Sequence, residues 1–189
     1  TSIVLSLRSQ AHVIATSLLI GPAGVAILNV SRLFVTPAIM ITPAVSQVMI
    51  PKISGLRVVD PKGAKTLSYH VGLWLLILHS SYACTLGVFW ALSTPNSLTQ
   101  KYGNLLSSLV ILWALYAGML VFRNSQEMLI VALKQFRFQA FVSIVGALAA
   151  IAATFALTRV YAELGTIVGL IVGELVVAVL YLSVVRNRT

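Results

Sequence analysis

LSSLVILWALYAGMLVFRNSQEMLIVAL, residues 106 to 133, is largely apolar as far as Phe122, crowds Arg123, Asn124, Gln126 and Glu127 into five positions, and turns apolar again. Whether one helix passes through that polar centre decides the fold. A bilayer hydrocarbon core about 30 Å thick needs about 20 apolar residues in a helix to cross it. MLIVALK (128 to 134) continues the helical pattern with no Gly or Pro before it. The run therefore reads as one spanning helix with a polar middle. The other reading stops the span at Phe122 and makes residues 123 to 137 a cytoplasmic loop, with the same topology.

The rest of the chain is of the same character. It is 59% hydrophobic and 9% charged, with a mean hydropathy of +0.98, against about 25% charged residues in a soluble domain. Its apolar runs are continuous and do not alternate with period two, which disfavours a membrane β-barrel. The fold class is all-α integral membrane. Six spans, at about 3–20, 24–50, 67–91, 106–133, 138–158 and 165–185, form a single six-transmembrane-helix bundle over residues 1–189. Gly21-Pro22-Ala23-Gly24 is a tight reversal, Pro51 to Lys65 holds two prolines, two glycines and five charges, and Ser93-Thr94-Pro95-Asn96 opens another loop. The first residue is Thr1, already in an apolar run, which reads as a piece of a longer protein. The lone Cys84 lies mid-span as a small packing residue, so there is neither a disulfide framework nor a Cys/His metal cluster, and no metal or cofactor is expected.

Charge orients the bundle. Lys52, Arg57, Lys62, Lys65, Lys134, Arg137, Arg186 and Arg188 fall on one side, against Lys101 and Arg159 on the other. This bias places the 51–65 loop and the C-terminus in the cytoplasm. The net charge of +9 is thus topological, with no soluble basic domain to bind nucleic acid; the basic loop is suited to anionic membrane lipid.

Three arginines remain inside spans: Arg8, Arg32 and Arg123. A charge at bilayer depth costs about 2.5 to 3.5 kcal/mol on insertion scales, so each should face protein or a water-filled cavity. Arg123 and Glu127 stand four apart on a face that also carries Trp113 and Tyr116, flanked by Asn124 and Gln126. Arg8 pairs in spacing with His12, or else snorkels from a helix end. Arg32 shares a stripe with Asn29, Thr36, Pro43 and Gln47 on a span of about 27 residues that Pro37 and Pro43 should kink; it, too, can snorkel to an interface. Asn29-Val30-Ser31 has the glycosylation pattern but sits too near the bilayer to carry weight. His79, mid-span, is either a proton relay or an interhelical hydrogen-bonding residue. Gly165, Gly169 and Gly173 recur every four residues as a close-packing seam. Glu174 follows that seam, able to pair with an arginine of another helix or to act with His79 as a coupling site.

The run IGPAGVAILNVSRLFVTPAIMITPAVSQVMIPKIS (20 to 54) resembles the junction into, and the length of, the eighth helix of polysaccharide flippases in the MOP superfamily, through Gly21, Pro22, Gly24, Pro51 and Ser54. FRNSQEMLIVALKQFRFQAFVSIVGALA (122 to 149) is similar to their tenth and eleventh helices, and AELGTIVGLIVGEL (162 to 175) to the entry of the twelfth. The resemblance implies one lobe of a two-lobe MATE-like transporter, whose N-terminal lobe lies outside this chain. It further implies a flippase of the bacterial inner membrane for undecaprenyl-pyrophosphate-linked oligosaccharide, serving O-antigen or other polysaccharide synthesis. Glu174 departs from the mostly apolar seam of such proteins.

On this expectation Arg8, Arg32, Trp113, Tyr116, Arg123, Asn124, Gln126 and Glu127 form the substrate cavity. Guanidinium groups bind pyrophosphate bidentately, and Trp113 and Tyr116 stack on sugar rings. Glu174 and His79 would couple transport to H⁺ or Na⁺. Competing readings are a multidrug extruder of the same superfamily and a six-helix scaffold whose polar residues only join helices. Enzymatic chemistry is not expected, since no nucleophile–base, paired-carboxylate or metal-ligand arrangement is discernible.

Overall fold

The computed structural model describes the backbone of residues 2–93 and 96–187, and the side chains of residues 10, 12–90, 92 and 104–183. All six elements are helical: α1 (Ser2–Leu19), α2 (Pro22–Leu33), α3 (Thr36–Val59), α4 (Pro61–Ser93), α5 (Asn96–Ala132) and α6 (Phe136–Asn187). α5 continues unbroken past Phe122, so FRNSQEM belongs to the helix and not to a loop. Four stretches are long and apolar enough to cross a membrane: Thr36–Val59, Pro61–Trp90, Asn104–Ala132 and Phe136–Ser183. The last is two antiparallel arms, because Ala162 has non-helical angles (φ 50°, ψ −130°) that turn α6 back on itself. An all-helical bundle of membrane-spanning character follows.

The chain reverses where the sequence supplies the chemistry. Gly21 adopts φ 102°, which suits a residue without Cβ, and Pro22 starts α2. Within the expected span 24–50, α2 ends at Leu33 and α3 starts at Thr36, while Phe34 and Val35 between them keep right-handed helical angles, so the break is a kink where one was expected from Pro37. Pro37, at the start of α3, has no N–H and its ring would clash with the carbonyl of Leu33, where α2 ends. At 12 residues, α2 reaches about 18 Å, too short to cross hydrocarbon. The Tyr82 hydroxyl donates to the Phe34 carbonyl exposed at the break, at 2.6 Å.

The expected loop 51–65 is instead mostly helix. α3 runs through Pro51 to Val59, and α4 starts at Pro61. Ile53 is fully buried beside Met128 and Ile130 of α5, and this packing holds the helix together across the proline. Asp60 alone separates the two helices: its Oδ1 accepts the Gly63 N–H at 2.9 Å, with Pro61 in the first position, a well-formed N-cap.

α5 is the central helix, packed against α2, α3, α4 and α6, while α1 lies on α6 and α2. One buried cluster gathers Leu28, Leu106, Leu109, Trp113 and Ile167. A second gathers Ile53, Met128, Ile130, Val142 and Tyr181 toward the end where α3 meets α4 and α5 meets α6. Arg57 marks that end, its guanidinium donating to the Ala132 carbonyl at the terminus of α5 at 2.8 Å. The basic residues from Lys52 to Lys65 and from Lys134 to Arg137 therefore share one end of the bundle. The glycine seam joins the arms of α6: a Cβ on Gly165 would strike the Leu157 carbonyl, on Gly169 the Thr154 backbone, and on Gly173 the Ala150 Cβ. Cys84 is exposed on α4 and does not pack in the core as expected.

Candidate functional site

The polar centre of α5 becomes a site because its stripe meets three other helix faces. Arg123 lies nine residues before Ala132, where α5 ends. At 1.5 Å per residue that is about 14 Å, close to half of a 30 Å hydrocarbon core. Its Nε lies 3.3 Å from Oε2 of Glu174 on the returning arm of α6, and Glu174 is 2% exposed. Its Nη2 lies 3.6 Å from Oε2 of Glu127, one turn further along α5, and also donates to Asn124 Oδ1. Gln139, at the start of α6, donates from Nε2 to Glu127 Oε1 at 2.8 Å. Tyr116 and Tyr181 lie within electrostatic reach of the guanidinium.

A cavity of about 420 Å³ opens beside this group, between α3 and α5, with Arg123, Asn124, Glu127 and Gln139 on its wall. α3 gives the cavity its other wall through Ile39, Thr42, Pro43 and Ser46. Pro43 removes the N–H that the carbonyl of Ile39 would otherwise bond, so a polar backbone group is left on this wall. The polar residues are thus assembled along one cavity, with one guanidinium facing two carboxylates.

The remaining residues singled out in the sequence are placed elsewhere. Trp113 is 1% exposed. Its indole N–H donates to Ser31 Oγ at 3.1 Å, and it meets His12 and Tyr116 edge-on at 5.6 and 5.5 Å between ring centroids. Arg32 lies over the same indole ring at 5.6 Å while remaining exposed. Arg32 and Trp113 thus form a cation–π group one side of Tyr116, and Arg123 the ionic group on the other. Asn29 and Gln47 are exposed. Gln126 is buried on the α4 side of α5, beside Ser68 and Tyr69, away from Arg123's cavity. His79 bonds the Ala114 carbonyl through Nε2 at 2.9 Å and lines a separate cavity. The side chain of Arg8 lies outside the described residues.

Gln139 is the site member that sequence reasoning missed. Its signal was slight, a single amide among Phe and Arg residues just after a helix start; only the turn at 133–135 brings it back over Glu127. Ser31 is likewise added at Trp113, and His12, expected beside Arg8, packs there too as a buried support. Compared with known proteins, the chain matches no family model, no curated protein and no solved structure.

Proposed function

We propose that the chain is a lobe of a membrane transporter, and that its substrate is a lipid-linked anion of the pyrophosphate-oligosaccharide class, moved across a bacterial inner membrane. The observation that carries this reading is Arg123: a guanidinium inside the apolar helix α5, nine residues from its end, on the wall of a cavity able to hold water and a headgroup. Glu174 fixes the Nε edge of the guanidinium, and Glu127, the longer and more exposed contact, occupies the terminal edge. In the empty site Glu127 holds the place of a phosphate oxygen; an entering pyrophosphate exchanges with it, and Gln139 retains the displaced carboxylate. The lipid tail stays in the bilayer. The remaining lobe of such a transporter would come from outside this chain, and the basic end of the bundle would face the cytoplasm.

One observation favours a second reading: two carboxylates converge on a single cation, a balance that also suits an H⁺- or Na⁺-coupled extruder of organic cations. Reconstituted vesicles separate the two. In the flippase, Arg123→Glu abolishes transfer of a fluorescent pyrophosphate-linked oligosaccharide to the side where an impermeant quencher reaches it, while Arg123→Lys retains part of it. In the extruder, Glu127→Gln abolishes gradient-driven uptake of a cationic dye, and the oligosaccharide is not moved by any variant. Unchanged oligosaccharide transfer in Arg123→Glu overturns the anion role.

A further inference from the structure

Two helices, α4 and α6, start at the end of the bundle that Arg57 marks, and each carries a cation at its second residue, Lys62 and Arg137. A helix N-terminus is already the positive end of its dipole, so a cation there is locally unfavourable unless an anion sits nearby. Neither first turn holds an acidic residue. Lys65 follows on α4, its ammonium 5.9 Å over the ring of the half-exposed Tyr69, and Lys52 and Lys134 are exposed at the same end. Of the chain's four acidic residues, Asp60 alone stands here, taken up as the N-cap of α4. Glu127, further inside α5, is held by Arg123 and Gln139. Among the described residues, none of these five cations is paired with a carboxylate.

The two basic segments form one surface. Arg57 donates to the Ala132 carbonyl at 2.8 Å, which sets the corner between α3 and α4 against the turn between α5 and α6, and Ala64 shares a buried cluster with Leu129 and Ala132. That bond also meets the negative, C-terminal end of α5, so the charge left uncovered is positive. Apolar side chains lie among the cations: Val58, Val59 and Phe136 are 78%, 85% and 57% exposed. Four stretches able to cross a membrane end or begin here, at Val59, Pro61, Ala132 and Phe136, which puts these residues level with the phosphates of one leaflet. Topology accounts for an excess of cations at one end, but not for their places at two helix N-termini or for the apolar residues between them. A soluble polyanion would meet the charges and leave Val58, Val59 and Phe136 in water; a lipid surface takes up both.

We propose that this end of the bundle is a binding surface for acidic phospholipid, whose phosphates sit against Lys62, Lys65 and Arg137 while Val58, Val59 and Phe136 lie among the first acyl carbons. The surface is separate from the Arg123 cavity and stands whichever substrate that cavity takes.

The test uses the whole chain, purified in a neutral maltoside detergent and mixed with equal amounts of phosphatidylglycerol and phosphatidylcholine of the same acyl chains, with native mass spectrometry to count the lipids retained. One cation near a membrane surface favours an anionic headgroup about fivefold, so the two at helix N-termini should retain phosphatidylglycerol about 25-fold over phosphatidylcholine. Lys62→Gln and Arg137→Gln should each lower that ratio about fivefold; both residues are exposed, so neither change disturbs the core. Arg159→Gln, exposed near the reversal at Ala162, should leave the ratio unchanged. Equal retention of the two lipids, a ratio unmoved by Lys62→Gln and Arg137→Gln, or one lowered as much by Arg159→Gln would overturn the proposal. So would displacement of bound phosphatidylglycerol by an equal concentration of glycerophosphoglycerol, the headgroup alone, or of a polyglutamate peptide, since the partner would then be a free phosphate or an acidic protein.

Discussion

Nε of Arg123 on α5 and Oε2 of Glu174 on α6 lie 3.3 Å apart, and the glutamate is 2% exposed. Removing one member of a buried ion pair leaves the other charged and desolvated, at a cost of about 3 to 5 kcal/mol. Glu127 remains in contact with Arg123, so Glu174→Gln is expected to destabilise the bundle by about 3 kcal/mol, the low end of that range. Replacing both members, Arg123→Met with Glu174→Leu, should restore much of the loss. Unfolding in detergent measures both; a double variant no more stable than Glu174→Gln would mean that the pair is not an isolated ionic contact.

The glycine seam gives an ordered prediction. A Cβ on Gly169 meets the Thr154 backbone, whereas a Cβ on Gly146 meets the Val177 side chain. Backbone yields less readily than a side chain, and overpacking costs about 1 to 3 kcal/mol. Gly169→Ala should therefore lower thermal stability more than Gly146→Ala does, and the reverse order would place the arms of α6 differently.

Much of the fold could be read from the residues, and the exceptions share a cause. Hydropathy located the long helices, and the absence of Gly or Pro after Phe122 was enough to carry α5 through its polar centre. Gly21-Pro22 and the Gly165, Gly169 and Gly173 repeat work through local geometry, so they were legible too. Pro51 misled, because a proline's local penalty is visible in sequence while the burial of Ile53 against α5 that outweighs it is not. The same limit applies to the site. The four-residue spacing of Arg123 and Glu127 is helical arithmetic, but Glu174 and Gln139 reach Arg123 and Glu127 only through the packing of α6. Nothing in the periodicity of α5 shows that Ser31 and His12 enclose Trp113 while Arg123, three turns on, stays open to a cavity.

Lys134 follows the end of α5 with φ 56°. The Gln135 N–H bonds the Ile130 carbonyl and the Lys134 N–H that of Val131, the pair of bonds that closes a helix around a left-handed residue. Glycine takes this conformation without the penalty of about 1 to 2 kcal/mol that Cβ imposes. Lys134→Gly should raise the melting temperature in detergent; a fall would show that the lysine side chain stabilises the turn by more than its backbone strain costs.

At the break between α2 and α3, Tyr82 Oη donates to the Phe34 carbonyl at 2.6 Å. Tyr82→Phe removes that donor and should cost about 1 kcal/mol, with faster amide exchange confined to the residues around 34–39. Exchange that rises evenly along α4 instead would locate the role of the hydroxyl elsewhere.

The central claim is that Arg123 and Glu127 of α5 face a water-filled hollow, and cysteine accessibility measures this most directly. In a Cys84→Ser background in intact vesicles, single cysteines at Ser46 and Leu120, near the site in the cavity wall, are compared with one at Leu115, 57% exposed on the outside of α5. A membrane-impermeant thiol reagent needs the thiolate, which forms where water reaches. Labelling of Ser46→Cys and Leu120→Cys with Leu115→Cys left unreacted is the predicted result; all three equally unreactive would contradict it.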